Sequence, residues 1–425
     1  MSVQRLPNRW LIAAAGVIMN VCVGTTYAWS VFTKPLTHDN PWTQTQVTLT
    51  FTIAVAFVGL GSLLGGIWQD RKGPRLVTTT AGLMYGTGFL IAAFAASTHW
   101  LAGIYLGYGV FCGMGIGIGH ICSIATITKW FPDHRGAMTG ANVMGFGAGA
   151  LVLGPIAART IIGYGVATTF VGCAIVYGIL VTLMAQFYVV PPEGWRPEGW
   201  RPVGAVAKAA SAIDHPVSVA LKTGRFWLLW LMLSLNTSAG IMILSQASPL
   251  AQQQTSINAV RASAIVAMLS IFNAAGRVFW AWMSDFIGRA QTLFCLFALQ
   301  VVLFFALPSV HEVVMFGIAA GLIALCYGGG FGVMPAFTAD FFGSKYVGGI
   351  YGWILVGWGI AAIPSPLLMA HFHETTGSYD FMIYVIGVVM VISLAFPILA
   401  RRIVHRINTA SAIELEGSAA GLSAG

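Results

Sequence analysis

The chain has 425 residues, of which 57% are hydrophobic and only 8% charged, with a mean hydropathy of +0.81. That composition excludes a soluble globular domain and describes a polytopic membrane protein. The formal net charge of +8 sits in short loops, with no basic stripe interleaved by aromatics, which removes nucleic acid as a partner.

The first apolar run, from Trp10 to about Phe32, is long enough to span and carries no clear cleavage site, so it reads as a helix and not as a signal peptide. Twelve spans are predicted in all, at about 10–32, 46–68, 76–96, 101–128, 137–159, 164–190, 226–248, 262–284, 291–308, 313–336, 346–370 and 379–400. Each is near or above the roughly 20 apolar residues that cross a bilayer. Without water, each backbone group must bond within its own helix, so all twelve read as helices. The fifth and eleventh are rich in glycine and proline. With the N-terminus inside, all but four of the 21 Lys and Arg residues face the cytoplasm. Lys34, Arg159 and Arg261 face out, and Arg277 lies in the membrane. The expected topology is multi-pass in the cell (inner or plasma) membrane, with both termini cytoplasmic.

The longest break, 191–225, opens PPEGWRPEGWRP and reads as a stiff, semi-extended cytoplasmic linker. It divides an N-terminal six-helix bundle (1–190) from a C-terminal one (226–408), and 409–425 read as a disordered tail. The six cysteines fall in hydrophobic runs without zinc-site or redox spacing and read as small buried side chains. No metal or other cofactor is expected.

The two halves repeat. GGIWQDRKGPR (65–75) after the second span resembles AWMSDFIGRAQ (281–291) after the eighth, with Asp70 matching Asp285 and Gly73 matching Gly288 at an offset of 215. WFPDHRGAMTG after the fourth span resembles FFGSKYVGGIYG after the tenth. The glycines at 113–119 and 328–332 lie within spans and follow no strand, so they read as close helix packing and not as a nucleotide loop. Two six-helix halves in the same orientation make a transporter layout.

Arg277 lies eight residues before Asp285, about 12 Å inside the membrane at the helical rise. A cation there costs roughly 2.5–3.5 kcal/mol or more and usually faces a polar pathway. No Asp or Glu lies in any of the long apolar runs, so an anionic cargo is the expected partner. Asn273, one turn away on the same face, is placed to orient the guanidinium or to donate to a substrate oxygen. The alternative is an arginine satisfied by backbone carbonyls. His120 lies at a similar depth, as a proton carrier, a substrate contact or a neutral helix-to-helix bond. Tyr27, Asn142, Asn236, Tyr327 and Trp358 are polar or amphipathic groups near the middle of spans 1, 5, 7, 10 and 11. Each is either pocket lining or helix-packing glue.

The D-R-x-G core at Asp70, Arg71 and Gly73, with its weaker copy at Asp285 to Arg289, resembles the loop motif of the major facilitator superfamily. Tyr27-Ala28-Trp29-Ser30, Trp130-Phe131-Pro132-Asp133 with Arg135-Gly136, the pair Asn273 and Arg277, and Tyr351-Gly352 resemble one branch, the oxalate/formate antiporters and monocarboxylate porters. The resemblance implies an all-α fold of twelve transmembrane helices in two pseudo-symmetric six-helix bundles. It implies that Arg277 holds a substrate carboxylate and that spans 1, 4, 7 and 10 line the cavity, favouring Tyr27, His120, Asn236 and Tyr327. Oxalate carriers add a lysine in the eleventh helix, where this chain has Trp358. Animal lactate porters place an aspartate where this chain has Asn273. One cation facing an indole suits a lactate- or pyruvate-like acid. Asp70, Arg71, Asp285 and Arg289 are expected to act as cytoplasmic gate charges. The expected function is proton-coupled symport of a small monocarboxylate by a monomer in the bilayer, the alternative being organic-anion exchange of the oxalate/formate type without a proton. An enzyme is not expected: there is no HExxH pattern, carboxylate pair or Ser/His/Asp set of matching depth.

Overall fold

The computed structural model describes residues 7–192, 195–200 and 214–404, and the side chain of Tyr27 is outside the described part. Among the described residues there is no strand, and eleven helices are long and apolar enough to cross a membrane. One of them, Arg135–Ala185, covers two predicted spans. At 51 residues it would be about 76 Å long if straight, more than twice a hydrocarbon core. It turns at Gly165, whose φ of 80° and ψ of 169° lie outside the helical region, and Thr169 donates back to the Thr160 hydroxyl across the corner. The described residues therefore make twelve spans, the fifth ending and the sixth beginning at Gly165.

The other spans are Arg9–Asp39, Thr45–Lys72, Pro74–Ser97, Leu101–Trp130, Gly224–Ser245, Ala264–Ile287, Arg289–Ser309, Val313–Phe342, Val347–Thr376 and Asp380–Val404. Several of their starts are capped by side chains that satisfy the first free N–H groups. Asn8 accepts from Trp10 N, Thr43 and Gln46 form a reciprocal capping box, and Asn258 accepts from Arg261 N. Three spans are broken, the twelfth of them at Leu394, where the helix Asp380–Ser393 ends inside the span Asp380–Val404. The first passes through a 3-10 turn at Gly24–Ala28, and the eleventh breaks at Ile363 because Pro364 cannot continue the hydrogen-bond ladder. Spans 2 and 8 both stop on a glycine, Gly73 (φ 82°, ψ 160°) and Gly288 (φ 90°, ψ 153°). The matching glycines of the repeat thus serve the same left-handed stop, which a Cβ disfavours.

The halves meet along two pairs of spans. Gly136 and Gly140 of span 5 press on the backbone of span 8, while Gly66 and Gly352 bring spans 2 and 11 together. These pairs exchange under the 215-residue repeat, so the interface has the pseudo-two-fold symmetry of the sequence. The linker docks at both ends: Trp195 packs edge-on to Trp130 at 4.7 Å, and Asp214 accepts from Lys345 N at 3.1 Å. Residues 201–213 and the tail after 404 lie outside the described residues. Five cysteines are buried, as read from the sequence, but Cys295 is exposed on the outer surface of span 9.

A Cβ at Gly165 would meet no neighbour, so its demand is on the backbone alone. Gly165→Val is expected to lower stability by about 1–3 kcal/mol without altering the span 5 interface, read by thermal unfolding in detergent. An unchanged midpoint would show that the corner tolerates a side chain.

Candidate functional site: a buried cation between the halves

Arg277 projects from span 8 into a narrow cavity with about 330 Å³ of space between atoms, lined by Val58, Ser62, His120, Phe146, Arg277, Phe331, Leu355 and Trp358. The walls come from spans 2, 4, 5, 8, 10 and 11, so the cavity lies between the two halves.

Arg277 is 2% exposed. Its Nη1 donates to the Val143 carbonyl of span 5 at 3.0 Å, and its guanidinium stands 5.3 Å from the Phe331 ring and 5.9 Å from Phe146. Among the described residues buried Nε has no hydrogen-bond partner and no carboxylate pairs with the group. A single carbonyl and two aromatic faces compensate a buried cation only in part. The backbone-satisfied alternative is therefore met by one bond out of five donors.

His120 lies across the cavity, its ring 4.6 Å from Phe146 and its Nδ1 2.7 Å from Asn20 Oδ1. Trp358 completes the wall, donating from Nε1 to the Tyr327 hydroxyl at 3.4 Å. The expected set thus separates. Arg277, His120 and Trp358 share the cavity, with Tyr327 bonded behind Trp358. The three asparagines do not line it. Asn273 donates to the Ala324 carbonyl of span 10, and Asn236 donates to Tyr327 O while accepting from Gln300. Asn142 accepts from Asn20 and Ser123. Each joins spans, which for Asn142 and Asn236 is the packing alternative in their reading and for Asn273 differs from the expected turn towards Arg277 or substrate. Tyr27 lies in the 3-10 turn, and its side chain is not described.

The gate residues sit on the face that carries the chain ends. Asp285 accepts from Gly136 N (3.0 Å) and Ala137 N (2.8 Å) at the start of span 5, and pairs with Arg289 at 2.7 Å. Asp340 pairs with Arg135 at 2.6 Å and Arg289 at 3.1 Å. In the matching place, Asp70 accepts from Gly349 N (2.7 Å) near the start of span 11 and pairs with Lys129 at 3.1 Å. Both acids thus face the positive end of a helix in the opposite half. Arg71 differs from expectation: it is exposed and forms no ion pair among the described residues, because the next position on the helix turns away from the interface. Lys129 and Arg135 supply the cations instead. Every hydrogen bond or ion pair described between the halves lies between Arg277 and this face.

Sequence reasoning passed over Asn20, Phe146, Phe331 and Asp340, and used Arg135 only as part of a family motif. Asn20 was detectable as an amide inside an apolar run, and Asp340 as an acid at the inner end of span 10. The two phenylalanines carry no signal that separates them from lipid-facing aromatics.

Two repeated six-span halves around a cavity, tied on one face alone, define a transporter and not an enzyme. The Major Facilitator Superfamily model matches residues 14–276 and 237–419, and the chain belongs to that family. It is 25% identical to the oxalate:formate antiporter of Oxalobacter formigenes over 84% of this chain and 83% of that one. It is 24% identical to apicoplast pyruvate carrier 1 of Toxoplasma gondii, covering 82% and 81%. In fold it is similar to the Escherichia coli transporter FucP in the outward conformation, with a TM-score of 0.67 over 91% of this chain and 98% of that one, at 13% identity.

Asp285→Asn removes the charge from an acceptor of two backbone N–H groups and from an ion pair, worth about 1.5–3 kcal/mol per charge-assisted bond. A cysteine at Thr139, now fully buried at the joint between spans 5 and 10, is expected to react roughly tenfold faster or more with an impermeant maleimide in that variant. Equal labelling rates would mean that these bonds do not hold the face closed.

Proposed function

We propose that the chain is a secondary transporter of small monocarboxylates of the lactate or pyruvate type, moved together with a proton by alternating access of the two halves. The observation that carries this reading is Arg277, buried between the halves without a carboxylate partner. One cation suits one carboxylate, and the guanidinium fork can take it by two hydrogen bonds. Phe146, Phe331 and Trp358 offer apolar walls to the short carbon end. The two relatives matched over more than four fifths of this chain whose names specify cargo are named for oxalate, formate and pyruvate, all carboxylates; a relative matched over 42% of it is named for riboflavin.

In this reading the face with the chain ends is cytoplasmic, the chain is a monomer in the cell membrane, and the ion pairs there form the inner gate. A bound carboxylate competes with the Val143 carbonyl for Arg277 and neutralises its charge. Both effects loosen the contact between spans 5 and 8, above the Asp285 tie, and favour opening inward. No carboxylate lines the cavity, so the proton travels with the acid or by way of His120. Similarity to the oxalate:formate antiporter favours a second reading, exchange of organic anions without a proton.

Uptake of radiolabelled L-lactate into proteoliposomes, with and without an inward proton gradient, tests both. Stimulation by the gradient is expected, together with a fall of about 100-fold or more in Arg277→Gln, the scale for losing one partner of a buried charge pair. Uptake that needs internal anion instead of a gradient would establish exchange. A folded Arg277→Gln protein that transports as well as the parent would overturn the role of the cation.

A further inference from the structure

The polar cluster behind His120 fixes which of its ring nitrogens faces the cavity. Asn20 Nδ2 lies 3.1 Å from the Gly16 carbonyl, 3.0 Å from Ser123 Oγ and 3.0 Å from Asn142 Oδ1. A backbone carbonyl only accepts, so the amide nitrogen must be at that end and Oδ1 at the other. Ser123 Oγ donates to Asn142 Oδ1 at 2.8 Å, which keeps that oxygen an acceptor and closes the network. Asn20 Oδ1 therefore accepts from His120, and Nδ1 carries a hydrogen. Asn20 is fully buried and Ser123 likewise, so no solvent competes for these bonds. In the neutral ring this leaves Nε2 with a bare lone pair. Nε2 has no partner among the described residues and is not fully enclosed. It therefore opens on the cavity that His120 lines.

We propose that His120, held as its Nδ1–H tautomer by Asn20, makes the site selective for 2-hydroxy acids over 2-oxo acids. This rests on the monocarboxylate reading above and names the member of that class. With the carboxylate on Arg277, a hydroxyl at the neighbouring carbon donates to Nε2. A 2-oxo group brings only lone pairs to the same nitrogen, and an unsubstituted acid leaves it unpaired. Phe146 lies beside both groups, its ring 4.6 Å from that of His120 and 5.9 Å from the Arg277 guanidinium. Asn20 touches no substrate and is a positioning residue. A site built to hydrogen-bond a hydroxyl rejects an analogue that lacks it because its own buried group is left unsatisfied.

The test is competition: L-lactate, pyruvate and propionate against uptake of labelled L-lactate into proteoliposomes, in the parent, His120→Phe and Asn20→Asp. In the parent, pyruvate and propionate are expected to inhibit at least tenfold more weakly than lactate. His120→Phe keeps an aromatic ring against Phe146 but has no lone pair, and the preference is expected to fall to within about twofold. Asn20→Asp places a carboxylate on Nδ1 and favours the imidazolium, so Nε2 becomes a donor and pyruvate is expected to gain on lactate. A general weakening of the fold would move all three acids together and leave their ratios intact. Equal inhibition by the three acids in the parent, or a ratio unmoved in His120→Phe, overturns the selectivity while leaving monocarboxylate transport standing. If labelled lactate is not taken up and none of the acids shifts the thermal midpoint of the parent, the monocarboxylate reading falls, and this inference with it.

Discussion

A guanidinium held at hydrocarbon depth must be given an environment by the protein, and the packing around span 8 is arranged to do so. A Cβ at Gly140 or Gly332 would collide with the Arg277 carbonyl oxygen, and one at Gly328 with that of Asn273. Spans 5 and 10 therefore lie against the backbone of span 8 on two sides, at a distance that larger residues would forbid. This leaves the Arg277 side chain one direction, into the cavity, and brings the Val143 carbonyl within reach of Nη1. The glycines and the cation form one design: close backbone contact removes lipid from the guanidinium and points it at the interface between halves.

The second level of organisation is the pair of acids at the ends of spans 2 and 8. Each reaches into the opposite half and accepts N–H groups at a helix start, so the ties follow the pseudo-two-fold relation of the repeat. The two ties are unequal. Asp70 has one cation, Lys129, while Asp285 shares Arg289 with Asp340, which also binds Arg135. The heavier cluster sits on span 8 itself, two turns from Arg277. The tie between spans 5 and 8 thus shares its two helices with the bond from Arg277 to Val143, and the tie between spans 2 and 11 does not. The buried cation and the heavier ion-pair cluster are thus linked through one helix pair.

Most of this architecture was legible in the sequence, because hydrophobic run length and Lys/Arg placement respond directly to the bilayer. The breaks were legible in kind: span 11 is interrupted where Pro364 stands, and the fifth and sixth spans join without any polar loop, at Gly165. The site was legible at Arg277, since a lone charge in an apolar run has few alternatives. It was less legible at the asparagines. Residues 273 and 277 share a helix face by spacing, but Gly328 lets span 10 approach so closely that the Asn273 amide turns to Ala324 instead. Arg71 failed for a related reason. A motif names adjacent residues, yet neighbours on a helix point about 100° apart, and only Asp70 faces the partner half. Asn20 shows the opposite case: its role depends on three spans meeting, which no single-chain pattern contains.

The choice of aromatic rings over an acid as neighbours of Arg277 has a functional consequence. A carboxylate partner would occupy the guanidinium fork, and any incoming anion would have to displace it, losing about as much as it gained. Phe146 and Phe331 stabilise the cation through their faces without using its N–H donors, each by about 0.5–2 kcal/mol. Val143 uses one donor, and Nε remains unpaired. The group is therefore stable enough to sit in the membrane and unsatisfied enough to bind. The same logic governs His120, whose inner nitrogen is fully committed to Asn20 while its outer one is left open. Arg277, His120 and also Ser62, which donates to the Gly117 carbonyl, are held by bonds within the protein, so the geometry is set before a ligand arrives and little ordering remains to oppose binding.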